Sequence, residues 1–368
     1  MITKDLADKI NGLAQRNLAF AFYYHPAQPE PHLVVQRSCD LLKVKSYGEI
    51  SGASGFILAP FARQEETPAV LLHPDIYLTD TASILALDLS PLPHYSLAAD
   101  HDEEIAQISQ DDYIATVRSL IAQMEEEKTE KVVLSRIITA PLPSGYSPGV
   151  FVQRLKETMG NAFVYFCHIP GTGTWMGATP EALLTTQKGR WKTASLAGTL
   201  PASAEKILWS AKEKREQEIV TEFIEEQLRA FAIHDYVKTG PCTAYAGPVA
   251  HLKTDIEFPA IENHEDRGRF IDALHPTPAV CGVPREKAMT CIDKYERHKR
   301  EYYSGFLGEW NLPQEMNLYV NLRCMKTMRQ EACLFVGGGI TRDSSPEKEW
   351  EETNYKSQTI LSLLRPRP

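Results

Sequence analysis

The chain has 368 residues, of which 43% are apolar and 24% charged, with 13 Phe, 15 Tyr and 5 Trp. This composition supplies a large buried core and excludes a disordered chain, and the length suits about two domains or one large α/β unit. Its 48 acidic against 39 basic residues leave a net charge of -9, which excludes a general binder of the nucleic-acid backbone but leaves room for a locally basic pocket.

The opening segment MITKDLADKINGLAQRNLAFAF carries Asp5, Asp8 and Lys9 where a secretory signal would be apolar, and no run approaches the length of a membrane span. Residues 1–105 read as short strands (LAFAFYYHP, HLVVQRS, GFILAPF, AVLLHPDIYLTD) broken by Pro, Gly and Ser. Over 111–127 the apolar period becomes helical, with Tyr113, Val117, Leu120, Ile121 and Met124 on one side. A β-branched run, KVVLSRIITAPL (131–142), predicts a buried strand. A helix over 149–159 follows, then strands NAFVYFCHI, WMGATPEALLTTQKG and RWKTASLAGTL. The remaining expectations are a helix over 204–232, strands over 242–252, a helix over 285–298, strands over 316–325 and 331–340, and a helix over 346–364. Helices beside adjacent strands indicate an α/β class of the α+β kind rather than strict βαβ alternation. No repeat or low-complexity linker marks a domain cut, so 1–105 is expected to be a strand-rich part of the same unit as 106–368. The seven cysteines are scattered, odd in number and without a C-x-x-C pair, as in a reduced, cytoplasmic protein.

Two helices carry acids on their inward faces. Glu213 and Glu216 continue into Val220, Phe223 and Ile224; Glu349 and Glu352 share a face with Lys356, Thr359, Ile360 and Leu363, behind a Ser345 N-cap and Pro346. Carboxylates buried together need a cation, and an oxygen-only donor set favours Mg2+ over zinc. The same spacing fits salt-bridged surface acids. Lys131 opens the buried strand; it is a candidate base if burial lowers its pKa, and otherwise a lysine capping a strand edge. SLAGT (Gly198, Thr199) and FVGGGIT (Gly337–Gly339), each read as following a strand, would let backbone N–H groups approach an anion, with Arg323 and Lys356 as cations nearby; plain strand-end turns are the alternative. Neither run is a P-loop or G-x-G-x-x-G, so nucleotide binding has no support. His251 and His275 lack a second His at ligand spacing and carry no metal expectation.

From about Lys131 to the C-terminus, ten ordered segments (KVVLSR, GATPEALL, SLAGT, KEKREQEIVTE, HLKT, LHPTPAVCGVPR, YYSGFLGEW, NLR, FVGGGIT and SSPEKEWEETNYKSQ) resemble the chorismate-utilising enzymes, the group that includes isochorismate, salicylate, anthranilate and aminodeoxychorismate synthases. Within the group the resemblance is greatest to isochorismate synthases. It implies a single large chorismate-binding unit with two antiparallel sheets packed together and helices outside. It implies Lys131 as the base activating water and Glu181 as the acid protonating a departing hydroxyl. Glu216 and Glu352 would be direct Mg2+ ligands, with Glu213 and Glu349 as water-mediated partners.

By the same resemblance Gly198, Thr199, Arg323, Gly337 and Lys356 hold the carboxylates and enolpyruvyl group, while His251, Ala279 and Tyr303 line the ring pocket. Ala279 stands where ammonia-using members tend to carry threonine, so water is the expected nucleophile and no glutamine amidotransferase partner is expected. The implied protein is an Mg2+-dependent isochorismate synthase feeding menaquinone or siderophore synthesis, a monomer or weak homodimer acting on chorismate, with neither nucleic acid nor membrane as partner. Salicylate synthase and a noncatalytic chorismate-binding protein are the alternatives.

Overall fold

The computed structural model describes residues 3–96, 107–202, 207–246 and 249–365. The N-terminal part runs α1 (Lys4–Gln15), β1 (Ala19–Tyr24), β2 (Pro31–Gln36), β3 (Leu42–Val44), β4 (Gly55–Ala59), β5 (Ala69–Leu72), β6 (Ile76–Leu78) and α2 (Thr81–Ala86). There follow α3 (Gln110–Glu127), β7 (Lys131–Pro141), α4 (Pro148–Thr158), β8 (Phe163–Ile169), β9 (Gly173–Thr179), β10 (Ala182–Gln187), β11 (Arg190–Pro201) and α5 (Ala211–Ala230). The last third contains β12 (Val237–Ala246), β13 (Val249–Pro259), α6 (His264–Leu274), β14 (Gly282–Val283), α7 (Arg285–Tyr295), β15 (Phe306–Trp310), β16 (Met316–Val320), β17 (Cys324–Thr327), β18 (Glu331–Ile340) and α8 (Pro346–Leu364).

Among the described residues the strands form two nine-stranded antiparallel sheets, ordered β14-β7-β18-β17-β9-β8-β1-β2-β6 and β12-β13-β11-β10-β16-β15-β4-β5-β3. The N-terminal strands are divided between them: β1, β2 and β6 extend the first sheet, and β3, β4 and β5 the second. Period-two alternation explains how the sheets pack. In β1, Ala19, Ala21 and Tyr23 face the core between the sheets, where they meet Phe56, Leu58 and Leu307 of the second sheet. Phe20, Phe22 and Tyr24 face outward onto α1, α4 and α8. The second sheet is covered by α5 and α6 through Val220, Ile224, Phe270 and Ile271. No helix among the described residues is long and apolar enough to cross a membrane.

Several elements depart from expectation, among them helix α2 and the segment WMGATPEALLTTQKG, which is two strands, β9 and β10, in different sheets. Helix α1 stands where the N-terminal part was read as strands alone; Leu6, Ile10 and Leu13, at helical spacing, are its buried face. Helix α6 was not foreseen. Helix α5 starts at Ala211 rather than 204, because Ser210 and Glu213 close a capping box there. The single strand expected over 316–325 is two strands in different sheets, and the chain crosses between them at Asn321, Leu322 and Arg323. Arg323 takes a left-handed φ of 48° at this crossing. Asn321 fastens it, accepting from Tyr165 Oη at 2.5 Å and donating to Tyr302 O at 2.9 Å.

Candidate active site

Between β9 and β10, too, the chain passes directly from one sheet to the other, at Pro180 and Glu181. The two crossings are tied together: Val320 N–H donates to Glu181 O at 2.9 Å, Ala178 N–H to Arg323 O at 3.1 Å, and Thr179 Oγ1 to Val320 O at 2.6 Å. This pairing brings an acid and a guanidinium to one cleft, which neither regular strand could reach alone. The cleft has about 720 Å3 of open volume including its mouth, in the range of small-metabolite sites. Lys131, Glu181, Gly198, Glu216, His251, Ala279, Tyr303, Arg323, Gly337, Glu352 and Lys356 all line it. Thr199 follows Gly198 in β11, and its side chain lies outside the described residues.

Lys131 is the first residue of β7 and is 2% exposed. Burial holds its ammonium below the usual lysine pKa; Glu216 opposes this, Lys356 adds to it, and Glu181 and Glu352 oppose it. Glu181, also buried, has its carboxyl pushed up to about 8 by burial, against the pull of Lys131, Lys356 and Arg323. The two groups are displaced toward each other's range, as an acid and a base working at neutral pH require.

The three glycines of FVGGGIT lie inside β18 rather than after it, and none has a left-handed φ. What they supply is space. A Cβ on Gly337 would sit 2.9 Å from Tyr303 Oη, one on Gly338 3.1 Å from Glu349 Oε2, and one on Gly339 2.9 Å from Lys131 Cε and 3.4 Å from Glu216 Oε2. Gly198 differs: its φ of 71° sits where the β11–β13 register shifts between Ala197 and Leu200, a bulge that requires glycine. Its carbonyl accepts from His251 Nδ1 at 2.9 Å, which leaves Nε2 to accept from Arg323 Nη2 at 3.2 Å. Burial, then Arg323, lowers the His251 pKa to about 3, so the ring is neutral. Tyr303 stacks on Phe335 at 5.5 Å. Lys356 Nζ donates to Gly337 O at 2.8 Å and pairs with Glu352 Oε1 at 2.7 Å.

The acids of α5 and α8 do converge. Lys212 Nζ lies 2.8 Å from Glu349 Oε1 and 3.6 Å from Glu216 Oε1, so one ammonium bridges the two helices. Sequence reading missed Lys212, although its position four residues before Glu216 is a standard helix-pair signal. Glu349 is 2% exposed, and its Oε2 has no hydrogen-bond partner among the described residues. A buried, unpartnered carboxylate oxygen above the bare backbone of Gly338, within a donor set of oxygens alone, fits a hard divalent cation. Glu213 is outside the cleft lining: its carboxylate accepts from Ser210 N at 2.8 Å and from the Ser210 hydroxyl, and its stem packs on Gly198. Helix α8 is held against β7 by Arg136, whose guanidinium lies 3.7 Å from the Trp350 ring centroid and donates to Thr353 and Asn354. His275 packs edge-on against Phe306 at 5.1 Å and does not line the cleft.

A two-sheet sandwich that gathers the buried amine of Lys131, the buried carboxyl of Glu181 and the guanidinium of Arg323 in one cleft beside converging acids defines an enzyme acting on a small anionic metabolite. Residues 76–365 match the model of the chorismate binding enzymes, and the chain belongs to that family. It is similar to the isochorismate synthase EntC of Escherichia coli K12, 32% identical over 248 residues, which span 64% of this chain and 63% of that enzyme. In structure it resembles the menaquinone-specific isochorismate synthase MenF of Escherichia coli, with a TM-score of 0.76, 21% identity and coverage of 98% of this chain and 90% of that one. It also resembles anthranilate synthase component I of Streptococcus pneumoniae, with a TM-score of 0.63, 18% identity and coverage of 95% and 91%. The architecture is thus shared by relatives named for different products, and the choice between reactions falls to the site.

Proposed function

We propose that the chain is an isochorismate synthase, an isomerase that moves the hydroxyl of chorismate from ring carbon 4 to carbon 2. The observation that carries this reading is the pairing of Lys131, its amine pushed toward neutrality, with Glu181, its carboxyl kept protonated, in one cleft. Neutral Lys131 takes a proton from water as its oxygen bonds to carbon 2, the diene electrons shift, and Glu181 gives its proton to the hydroxyl leaving carbon 4. Water enters and water leaves, so the product is an isomer, and solvent returns the two side chains to their starting states. Arg323, Lys356, Gly198, Thr199 and Gly337 would hold the carboxylates and the enolpyruvyl group, and His251, Ala279 and Tyr303 would shape the ring pocket. The methyl side chain of Ala279 presents no polar group to ammonia, in keeping with water as nucleophile and no amidotransferase partner.

Glu216 and Glu352 would bind Mg2+ directly, with Glu349 as an outer partner; Glu213 would serve as a second only by releasing its carboxylate from the Ser210 cap. The bound ion would supply a fixed positive charge opposite a substrate carboxylate. Seven free thiols support a cytoplasmic setting, and the product would feed menaquinone or siderophore synthesis.

Incubating the purified protein with chorismate and Mg2+ is expected to yield isochorismate as the sole product. EDTA should abolish turnover and added Mg2+ restore it. Salicylate among the products would replace this reading with a salicylate synthase, and anthranilate or aminodeoxychorismate formed with ammonium would overturn it. A second outcome concerns Gly339→Ala. The new methyl group would press on Lys131 Cε from 2.9 Å, and a misplacement of about 1 Å at a reacting group costs about 10²-fold. Turnover should fall by about that factor while the urea midpoint moves little, because the backbone φ suits alanine. Unchanged turnover would show that the amine position is not critical.

A further inference from the structure

A second cluster of titratable groups lies outside the cleft. His25, just after β1, and His32 of β2 belong to the first sheet, while Glu309 of β15 belongs to the second. Their nearest donor atoms all lie within 4.8 Å of one another. Glu309 Oε1 is 3.2 Å from His25 Nε2 and 3.3 Å from His32 Nδ1. Tyr77 Oη of β6 is 3.2 Å from the same Oε1 and 3.3 Å from His32 Nδ1. Tyr23 Oη donates to Oε1 as well, at 2.7 Å, and Asn317 Nδ2 donates to Oε2 at 2.8 Å.

Four polar atoms therefore crowd one carboxylate oxygen, which has only about two lone pairs to offer. The crowding is relieved if a cation sits among the donors. Zinc binds imidazole nitrogen and carboxylate oxygen at about 2.0–2.2 Å, which puts neighbouring ligand atoms of a tetrahedral centre about 3.4 Å apart. Four of the six edges, from Glu309 Oε1 to both histidines, from Tyr77 to Glu309 and from Tyr77 to His32, are close to that length, and the two imidazole nitrogens lie within 4.8 Å of each other. The surroundings suit a structural metal: Glu309 is 2% exposed, and the Tyr23 and Phe163 rings pack against His25 at 5.6 and 5.8 Å. Tyr23 and Asn317 orient the carboxylate from outside the donor set. His32 and Tyr77, each partly exposed, leave a route in from the β2–β6 edge.

We propose that His25, His32 and Glu309, with Tyr77 completing the set, form a binding site for one zinc ion that staples the two sheets together. Two imidazoles and a carboxylate select zinc over magnesium, which distinguishes this site from the oxygen-only acids of the cleft. Each histidine must present a bare nitrogen, so binding releases protons and weakens as pH falls.

The test is metal retention by the full-length chain. Chelator-treated protein is given Zn2+ in saturating Mg2+, passed through a desalting column and its metal content measured; Co2+ is added in a parallel sample for its visible spectrum. One equivalent of zinc should be retained, raising the melting temperature, and Co2+ should give tetrahedral bands without thiolate charge transfer. His32→Gln should weaken zinc binding more than about 100-fold, since loss of an outer partner alone costs 10–100-fold. Chorismate turnover with Mg2+ should be unaffected by that change. His25→Gln, a second removal of a ligand, should behave the same way and covers the case in which the first variant folds poorly. Zinc retained equally by wild type and both variants, a thiolate band from the exposed Cys39 or Cys242, or no zinc retained by the wild type would overturn the proposal. None of these results bears on chorismate turnover, so the two readings fail separately.

Discussion

Changing Lys131 to methionine should lower chorismate turnover by about 10²–10⁴-fold, the usual contribution of one proton-transfer group, and should leave the fold at least as stable at neutral pH. Both effects have one cause. The amine is buried, and burial lowers its pKa more than Glu216 raises it. In the unfolded chain the same group titrates near about 10.4. Between the folded and unfolded values the unfolded chain holds more protons, so stability rises with pH across that window. The Lys131 contribution is fully recovered above about pH 10.4 and lost as pH falls to the folded value. Methionine fills similar space without a charge to desolvate. The advantage of the variant should therefore be greatest at low and neutral pH and vanish toward pH 10. Urea unfolding of both proteins at several pH values checks this. A methionine variant that still turns over chorismate would remove the assigned base, and one that unfolds far more easily than wild type at neutral pH would refute the account of its burial.

Glu181→Gln should cost a similar 10²–10⁴-fold, since the amide keeps the shape of the acid but has no proton to give. In the wild type, a carboxyl raised to about 8 is mostly protonated at pH 7, and kcat/KM should decline as it ionises above that value. The stability sign is opposite to that of Lys131. Here the folded chain holds the extra proton between the unfolded value of 4.5 and about 8, so stability is full below 4.5 and is lost as pH rises through 8. At pH 7 the loss is about 3 kcal/mol. Glutamine has no such dependence, so the variant should gain on the wild type steadily from about pH 5 to pH 8. An alkaline limb missing from the kcat/KM profile, or stability differences that do not change over this range, would refute the acid assignment.

Local pattern carried much of the architecture. The apolar runs of β1, β7 and β8 and the helical stripes of α3 and α8 are dictated by which side chains must leave water, and their positions agree with the sequence reading to within a few residues, while α5 begins seven residues later than read. Glu216, Glu349 and Glu352 were visible as inward-facing acids for the same reason, whereas Glu213 caps its own helix outside the cleft. Short elements were harder. Helix α1 carries a clear stripe in Leu6, Ile10 and Leu13, which reading the region as strands alone overlooked. The run over 316–325 is apolar enough for one strand, and nothing local says that Asn321–Arg323 must cross between sheets. That crossing depends on Tyr165 and Tyr302, more than 150 and about 20 residues away respectively.

Residue order and apolar spacing were thus sufficient for element type, for the antiparallel α+β class and for the motifs that mark the family, because burial preferences act over a few neighbouring positions. The roles of particular groups depended on distant partners. FVGGGIT suggests glycines that open backbone N–H groups to an anion, or a strand-end turn, yet in the fold they lie within β18, where their missing side chains leave room for Tyr303, Glu349 and Lys131. Lys212 bridging two acid helices and the His25, His32 and Glu309 cluster spanning two sheets likewise arise from contacts across the fold. Electrostatic environment is a property of three-dimensional proximity and solvent exclusion, so the shifted amine of Lys131 and the retained proton of Glu181 exist only once the sheets have closed over them.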